Sequence, residues 1–85
     1  MLGMLFSAAL VSTVVLSPGT EAAYEAFLAR PDTAFFAVSE DGKAWGRSYC
    51  NPGGECTAEY LREIAIGHCL VHGDGCEVYD EKPWR

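Results

Sequence analysis

Four cysteines and two histidines are the residues of this chain whose types and spacing could do chemistry. The cysteines are Cys50, Cys56, Cys69 and Cys76, and all of them lie in the C-terminal half of the sequence. In an oxidising compartment such a set predicts a disulfide framework, whereas in a reducing cytosol it would indicate metal or redox chemistry. The compartment therefore decides which chemistry the cysteines perform.

The spacing of the cysteines allows three disulfide connectivities, and the sequence does not choose among them. We expect nearest-neighbour pairing, Cys50 with Cys56 and Cys69 with Cys76, because each pair encloses a short segment rich in turn-forming residues. Each such disulfide would add about 2–3 kcal/mol in the chain-entropy model. A domain of this size buries only about 60% of the surface of its unfolded chain, so the gain is a large part of its stability.

His68 and His72 offer the main alternative, which is a zinc-binding or thiol-redox site. Their i, i+4 spacing allows two imidazoles on one helical face to share a zinc ion. Together with Cys69 and Cys76 they would complete a four-ligand set. The chain has no Cys-x-x-Cys and no His-Glu-x-x-His pattern. We therefore interpret the histidines as residues near a helix C-terminus that cover apolar surface, and we expect no cofactor.

The polar residues do not predict catalysis. A free Cys56 just ahead of a helix would be a reactive thiolate, but a redox pair is normally Cys-x-x-Cys. Ser39, Ser48 and Thr57 have no evident base and acid arranged to activate them. We predict that the chain is not an enzyme.

Trp45, Tyr49 and Trp84 form the candidate binding surface. Clustered aromatic side chains on a surface are typical of sites that contact ligands, although such residues more often form the core and rim of a small sheet. Trp84 belongs to a polar C-terminal tail. A tryptophan in such a tail usually packs against another surface.

An apolar N-terminal run predicts that the chain is exported. Residues 2–16 carry no charge, and the apolar core of this run has the length of a signal-peptide hydrophobic region and is too short to span a bilayer. Pro18 and Gly19 are expected to break any helix that begins there. We predict a signal peptide at residues 1–22, with cleavage after the small residue Ala22, and a mature domain at residues 23–85.

The missing Lys or Arg before the apolar run leaves alternatives open. The start of the chain could be misplaced, the run could stay uncleaved as a weak anchor, or it could form a buried N-terminal helix. The predicted location is periplasmic or secreted, with no stable membrane insertion after signal cleavage.

The elements that must position these residues follow from the hydrophobic periodicity of the mature segment. A first helix is stopped by Pro31, an Asp-Gly turn joins two strands of a hairpin, and Thr57 can N-cap a second helix. The predicted elements are helices at residues 21–30 and 58–71 and strands at residues 34–38, 44–50 and 76–79. We predict an α+β fold with one small antiparallel sheet and a helix packed on it, stabilised by disulfides.

The second predicted helix carries apolar residues on more than one side. One face is expected to hold Leu61, Ile64, Ala65, His68 and His72. Ile66 and Leu70 fall on the opposite side, so both sides of this helix are candidates for packing against other parts of the protein.

The charge of the chain limits the class of partner. The formal net charge is −6, and the acidic residues are spread along the sequence. Nucleic acid and anionic membrane surfaces would be repelled by such a chain. The expected partner is an envelope or extracellular protein or a small ligand.

Several short segments resemble a group of small exported bacterial domains. The segments are Phe27-Leu28-Ala29, residues 34–39, Asp41-Gly42, Ala44-Trp45-Gly46, Ala65-Ile66 with Cys69, and Cys76-Glu77-Val78-Tyr79. In that group a helix ends in A-L-x-x-C and a strand begins with C-x-V-Y. The resemblance implies a domain of unknown biochemical function with Cys69 and Cys76 as its framework pair, Cys50 and Cys56 being an addition, and it carries over no catalytic or ligand residue.

The sequence thus predicts a non-enzymatic, disulfide-stabilised binding or interaction module of the periplasm or the extracellular space. A zinc-binding or thiol-redox protein is the alternative from another class. An inhibitor of a periplasmic enzyme is a third hypothesis, compatible with a small, rigid, acidic scaffold.

Overall fold

The computed structural model describes residues 14–51 and 53–83, which form two helices and three strands. The elements are α1 (Pro18–Ala29), β1 (Thr33–Val38), β2 (Trp45–Tyr49), α2 (Ala58–His72) and β3 (Glu77–Glu81). The strands pair antiparallel in the order β2-β1-β3. The predicted α+β class and single antiparallel sheet are confirmed.

The central strand β1 is buried along its whole length. Successive side chains of a strand point to opposite faces of the sheet. Phe35 and Ala37 accordingly pack with α2, whereas Phe36 and Val38 pack with Phe27 of α1. We call these two groups the α2-side core and the α1-side core. The sheet therefore carries a helix on each face, whereas the sequence analysis predicted two helices but only one packed on the sheet.

Helix α1 begins at Pro18, earlier than the predicted start at residue 21. Ser17 is the N-cap, and its Oγ accepts a hydrogen bond from the Thr20 backbone N–H at 3.3 Å. Pro18 and Gly19 were expected to break a helix of the preceding apolar run; most of that run lies outside the described residues, so this stays a prediction, and Pro18 opens α1 instead. Proline is well suited to the first helical position, because the backbone N–H that it lacks would have no partner inside the helix.

Residues 14–17, directly before α1, belong to the folded structure. Val14 and Leu16 pack against the α1-side core. The Ser17 backbone N–H donates to the Gly42 carbonyl at 3.0 Å, which ties this segment to the hairpin turn. The cleavage predicted after Ala22 falls inside α1, while residues 1–13 of the predicted signal peptide lie outside the described residues. The signal peptide stays a prediction.

Tyr24 connects α1 to β3. Its hydroxyl donates a hydrogen bond to the carboxylate of Asp80 at 2.6 Å. This hydrogen bond, and secondarily burial and the negative charge of Asp80, raise the pKa of Tyr24 to about 12. An ionised Tyr24 would lose the donated hydrogen bond and lie beside a like charge.

We expect the free energy of unfolding to fall between about pH 10 and about pH 12. Tyr24 ionises near pH 10 in the unfolded chain but stays protonated to about 12 when folded, so its contribution is complete below pH 10 and is lost as the pH rises through the folded pKa. Urea denaturation at a series of pH values measures the decline. Tyr24→Phe cannot ionise and should decline less, and an equal decline in both proteins would contradict the assignment.

Helix α2 faces the sheet with Leu61, Ala65 and Cys69, which are spaced four residues apart. Thr57 caps its N-terminus as predicted, its Oγ1 accepting a hydrogen bond from the Tyr60 N–H at 3.1 Å. The predicted face contains two of these buried residues, Leu61 and Ala65, together with His68 and His72, which are exposed. The buried stripe includes the disulfide-bonded Cys69, and the histidines lie at its exposed margin beside β2.

Gly46 allows α2 to pack closely on β2. A Cβ atom at this position would collide with the Ala65 carbonyl oxygen and would lie 2.5 Å from the Cys69 backbone nitrogen. These are backbone atoms, so a larger residue would have to displace the helix. Gly46 thereby fixes how the C-terminal half of α2 lies along β2.

Two disulfides close the fold with the predicted nearest-neighbour pairing. Cys50–Cys56 bridges the loop that follows β2, and Cys69–Cys76 joins α2 to the residue before β3. Cys69 is fully buried in the α2-side core. Within the described part of the chain, no helix is long and apolar enough to cross a membrane.

Candidate functional site

An open groove of about 650 Å³ lies between β2 and the C-terminal half of α2. We call it the edge groove. Its principal side chains are Trp45, Arg47 and Tyr49 from β2 and His68, Val71 and His72 from α2.

The groove extends round the outer edge of β2. Gly46 and Ser48 are buried and face α2, whereas the residues that alternate with them, Trp45, Arg47 and Tyr49, lie on the other face of the sheet. A groove that contacts both α2 and these three residues must therefore pass along the unpaired side of the strand. In the strand order β2-β1-β3, no described strand covers that side.

Backbone groups of β2 point into the groove. The Ser39 N–H donates to the Ala44 carbonyl at 3.0 Å, which marks these two residues as a hydrogen-bonded pair of the hairpin. Such pairs alternate with non-hydrogen-bonded pairs along an antiparallel ladder. In the register Val38↔Trp45 and Phe36↔Arg47, the backbone N–H and C=O groups of Trp45 and Arg47 are therefore directed away from β1.

The edge groove is a basic region on an acidic chain. The formal net charge of the protein is −6. The groove is nevertheless lined by Lys43, Arg47, His68 and His72, and no Asp or Glu lines it. No salt bridge among the described residues involves these four side chains. The groove therefore offers a ligand the guanidinium of Arg47 and the ammonium of Lys43, the latter within electrostatic range of Asp41, together with two imidazoles.

Trp45 contributes to the groove and to the core at the same time. The Trp45 ring stacks on Phe36 with a distance of 5.8 Å between the ring centroids. The guanidinium carbon of Arg47 lies 5.6 Å from the centroid of the Trp45 ring. The tryptophan is half-buried. It forms a fixed aromatic wall against which Arg47 is held by a cation–π contact.

Tyr49 is the more accessible of the two aromatic residues, with 48% of its surface exposed. The guanidinium of Arg30 lies 5.2 Å from its ring centroid. Two residues of the predicted binding surface, Trp45 and Tyr49, therefore line one groove. Trp84, the third, lies outside the described residues.

The alternative metal set does not come together. Cys69 and Cys76 are bonded to each other, and a disulfide supplies no thiolate ligand. His68 and His72 line the groove without these cysteines. Within residues 14–51 and 53–83, no group of three His, Cys, Asp or Glu residues is arranged to hold a metal ion.

Arg47 and Lys43 are site residues that the sequence reasoning missed. The alternation of the return strand puts Arg47 between Trp45 and Tyr49 on one face, so this arginine could have been found from the strand period alone. Nothing in the sequence signals that the end of α2 forms the opposite wall.

Comparison with known proteins finds no matching family, no matching curated protein and no matching solved structure.

Proposed function

We propose that this chain is a non-enzymatic binding module of the periplasm or the extracellular space that contacts its partner through the edge groove. One observation carries the proposal: aromatic and cationic side chains surround a strand edge that no described strand covers, on a protein that is otherwise acidic.

The composition of the groove supports a binding role. Tyrosine, tryptophan and arginine are the residues that most often dominate the energetics of protein interfaces, and all three types line the groove. Its volume of about 650 Å³ falls within the usual range for ligand sites. Binding needs only these surfaces, since no nucleophile and base are paired there.

The cysteines support a location outside the cytosol. All four are engaged in disulfides, and such bonds persist in oxidising compartments. An apolar N-terminal run is consistent with export.

Tyr49→Ala is expected to weaken partner binding by about 2 kcal/mol, roughly 30-fold, because truncating an exposed aromatic in a binding groove removes its contact area. Tyr60→Ala is the matched control, since Tyr60 is 57% exposed on α2 and does not line the groove. Trp45→Ala would also remove packing on Phe36, so Tyr49 is the cleaner probe.

The measurement is a quantitative pull-down from the native compartment with the oxidised wild-type protein and the two tyrosine variants. Partners that are retained by Tyr60→Ala and lost by Tyr49→Ala would support the proposal. If both variants retain the same partners at wild-type levels, the edge groove is not the binding surface.

A further inference from the structure

We infer that the edge groove binds an extended acidic peptide segment, which adds to β2 as a fourth strand of the sheet. The inference rests on the proposed binding function and assigns the chemical class of the partner.

The backbone of β2 provides the template. The outward N–H and C=O groups of Trp45 and Arg47 are the groups that a neighbouring strand would engage. Strand addition to a free sheet edge is a common mode of peptide recognition, in which main-chain hydrogen bonds supply affinity and side chains supply specificity. At about 3.4 Å per residue, Trp45–Tyr49 would pair with a peptide of about five residues.

The side chains around the edge specify acidic residues. Alternate side chains of an added strand would face the two walls of the groove. One wall presents Lys43 and Arg47, and the other presents His68 and His72. Carboxylates on one side of the bound strand would therefore meet the positive charges of Lys43 and Arg47, which favours encounter and register. Those on the other side would meet imidazole N–H groups, which can donate hydrogen bonds to them.

A second copy of this chain fits the edge less well than an acidic peptide. Two β2 strands paired antiparallel about a twofold axis at their centre would set Arg47 directly opposite its own copy. Like charges directly opposite each other destabilise a strand pair, and charged residues on edge strands protect against self-association. An acidic strand turns the same side chains into attractive contacts.

The test uses the peptide acetyl-Thr-Glu-Glu-Val-Glu-Glu-Thr-amide, whose glutamates fall on both faces of an extended strand. It is titrated into the isotope-labelled, oxidised full chain and followed by amide chemical shifts. We expect the largest shifts at Trp45, Arg47 and Tyr49. Arg47→Glu should weaken binding by about tenfold or more, because attraction becomes repulsion. Arg62→Glu is the matched charge reversal, since Arg62 is exposed on α2 outside the groove, and it should change binding by less than about twofold.

Two N-methylated forms of the peptide separate strand addition from charge attraction. Alternate amides of a strand point to opposite edges, so only one set can donate to β2. Methylating that set should abolish binding, whereas methylating the other set should leave it within about twofold of the parent peptide. Equal binding of both forms would overturn strand addition while leaving the proposed groove function intact.

Two further outcomes would also overturn the inference. One is the absence of shifts at the edge groove when the parent peptide is added. The other is a peptide-independent dimer in sedimentation whose interface maps to β2 by amide chemical shifts, which would make a second copy the occupant. Failure of the proposed function is scored separately, by the Tyr49 and Tyr60 pull-down.

Discussion

Replacing both Cys69 and Cys76 with alanine is expected to lower the free energy of unfolding by about 3–5 kcal/mol. The disulfide joins α2 to the start of β3, and Cys69 is fully buried in the α2-side core. The variant therefore loses both the cross-link and the packing of a buried sulfur. A core of this size supplies only about 3–5 kcal/mol by itself, so we expect the variant to be largely unfolded at about 37 °C.

The matched control is the double alanine variant of Cys50 and Cys56. The two disulfides have sequence separations of 6 and 7, so the chain-entropy model assigns them nearly equal effects of about 2–3 kcal/mol. The difference between the variants therefore reports the buried packing of Cys69. Urea denaturation followed by circular dichroism measures both, and equal losses would contradict a special role for the buried bridge.

A chain that begins at Ala23 is expected to be less stable than one that begins at Val14, by about 2–4 kcal/mol. The shorter chain lacks the Ser17 cap, worth about 1 kcal/mol. It also lacks the packing of Val14 and Leu16 on the α1-side core and the buried Thr20. Burying apolar side chains contributes about 1.5–3 kcal/mol each when complete, and proportionally less when partial.

This prediction bears on where an exported form would be cut. Cleavage after Ala22 would divide α1 and remove the hydrogen bond from Ser17 to Gly42. We expect a stable mature protein to retain Ser17. Intact mass of the protein from its native compartment and thermal unfolding of both chains test this. A mature chain that starts at Ala23 and is as stable as the longer one would show that the expectation is wrong. Ser17→Ala in the longer chain measures the contribution of the N-cap alone to the free energy of unfolding.

The disulfides also bear on the edge groove. Cys50 directly follows Tyr49, and Cys69 directly follows His68, so a covalent link lies next to a residue of each groove wall. A strand edge and a helix held in this way lose little conformational freedom on binding, which favours affinity. The framework that stabilises the fold thereby also preorganises the proposed site.

Local interactions explain what could be predicted without the tertiary structure. Thr57 caps the helix that follows it, and Gly42 has a φ of 75°, as the Asp-Gly hairpin turn requires. The two short cysteine loops pair as nearest neighbours. Each of these features depends on residues that are close together in sequence. The short stretch of sequence around each feature therefore contains nearly all the information needed to predict that feature.

The errors in the prediction arose where a long-range contact decides the outcome. The start of α1 depends on the bond from Ser17 to Gly42 and on the packing of Leu16, neither of which an apolar run by itself reveals. Both faces of α2 carry apolar side chains, so periodicity alone could not exclude His68 from the buried face. Contact between Cys69 and the sheet decides which face is buried.

The sequence by itself determined the α+β class, the hairpin, the disulfide framework and the aromatic residues of β2. Only the tertiary structure decided that β2 is an edge strand and that α2 lies beside it to form a basic groove. The physical reason is that the groove depends on the docking of two elements that are separated in sequence. Their approach is set by Gly46, whose missing side chain lets the backbone of α2 come close.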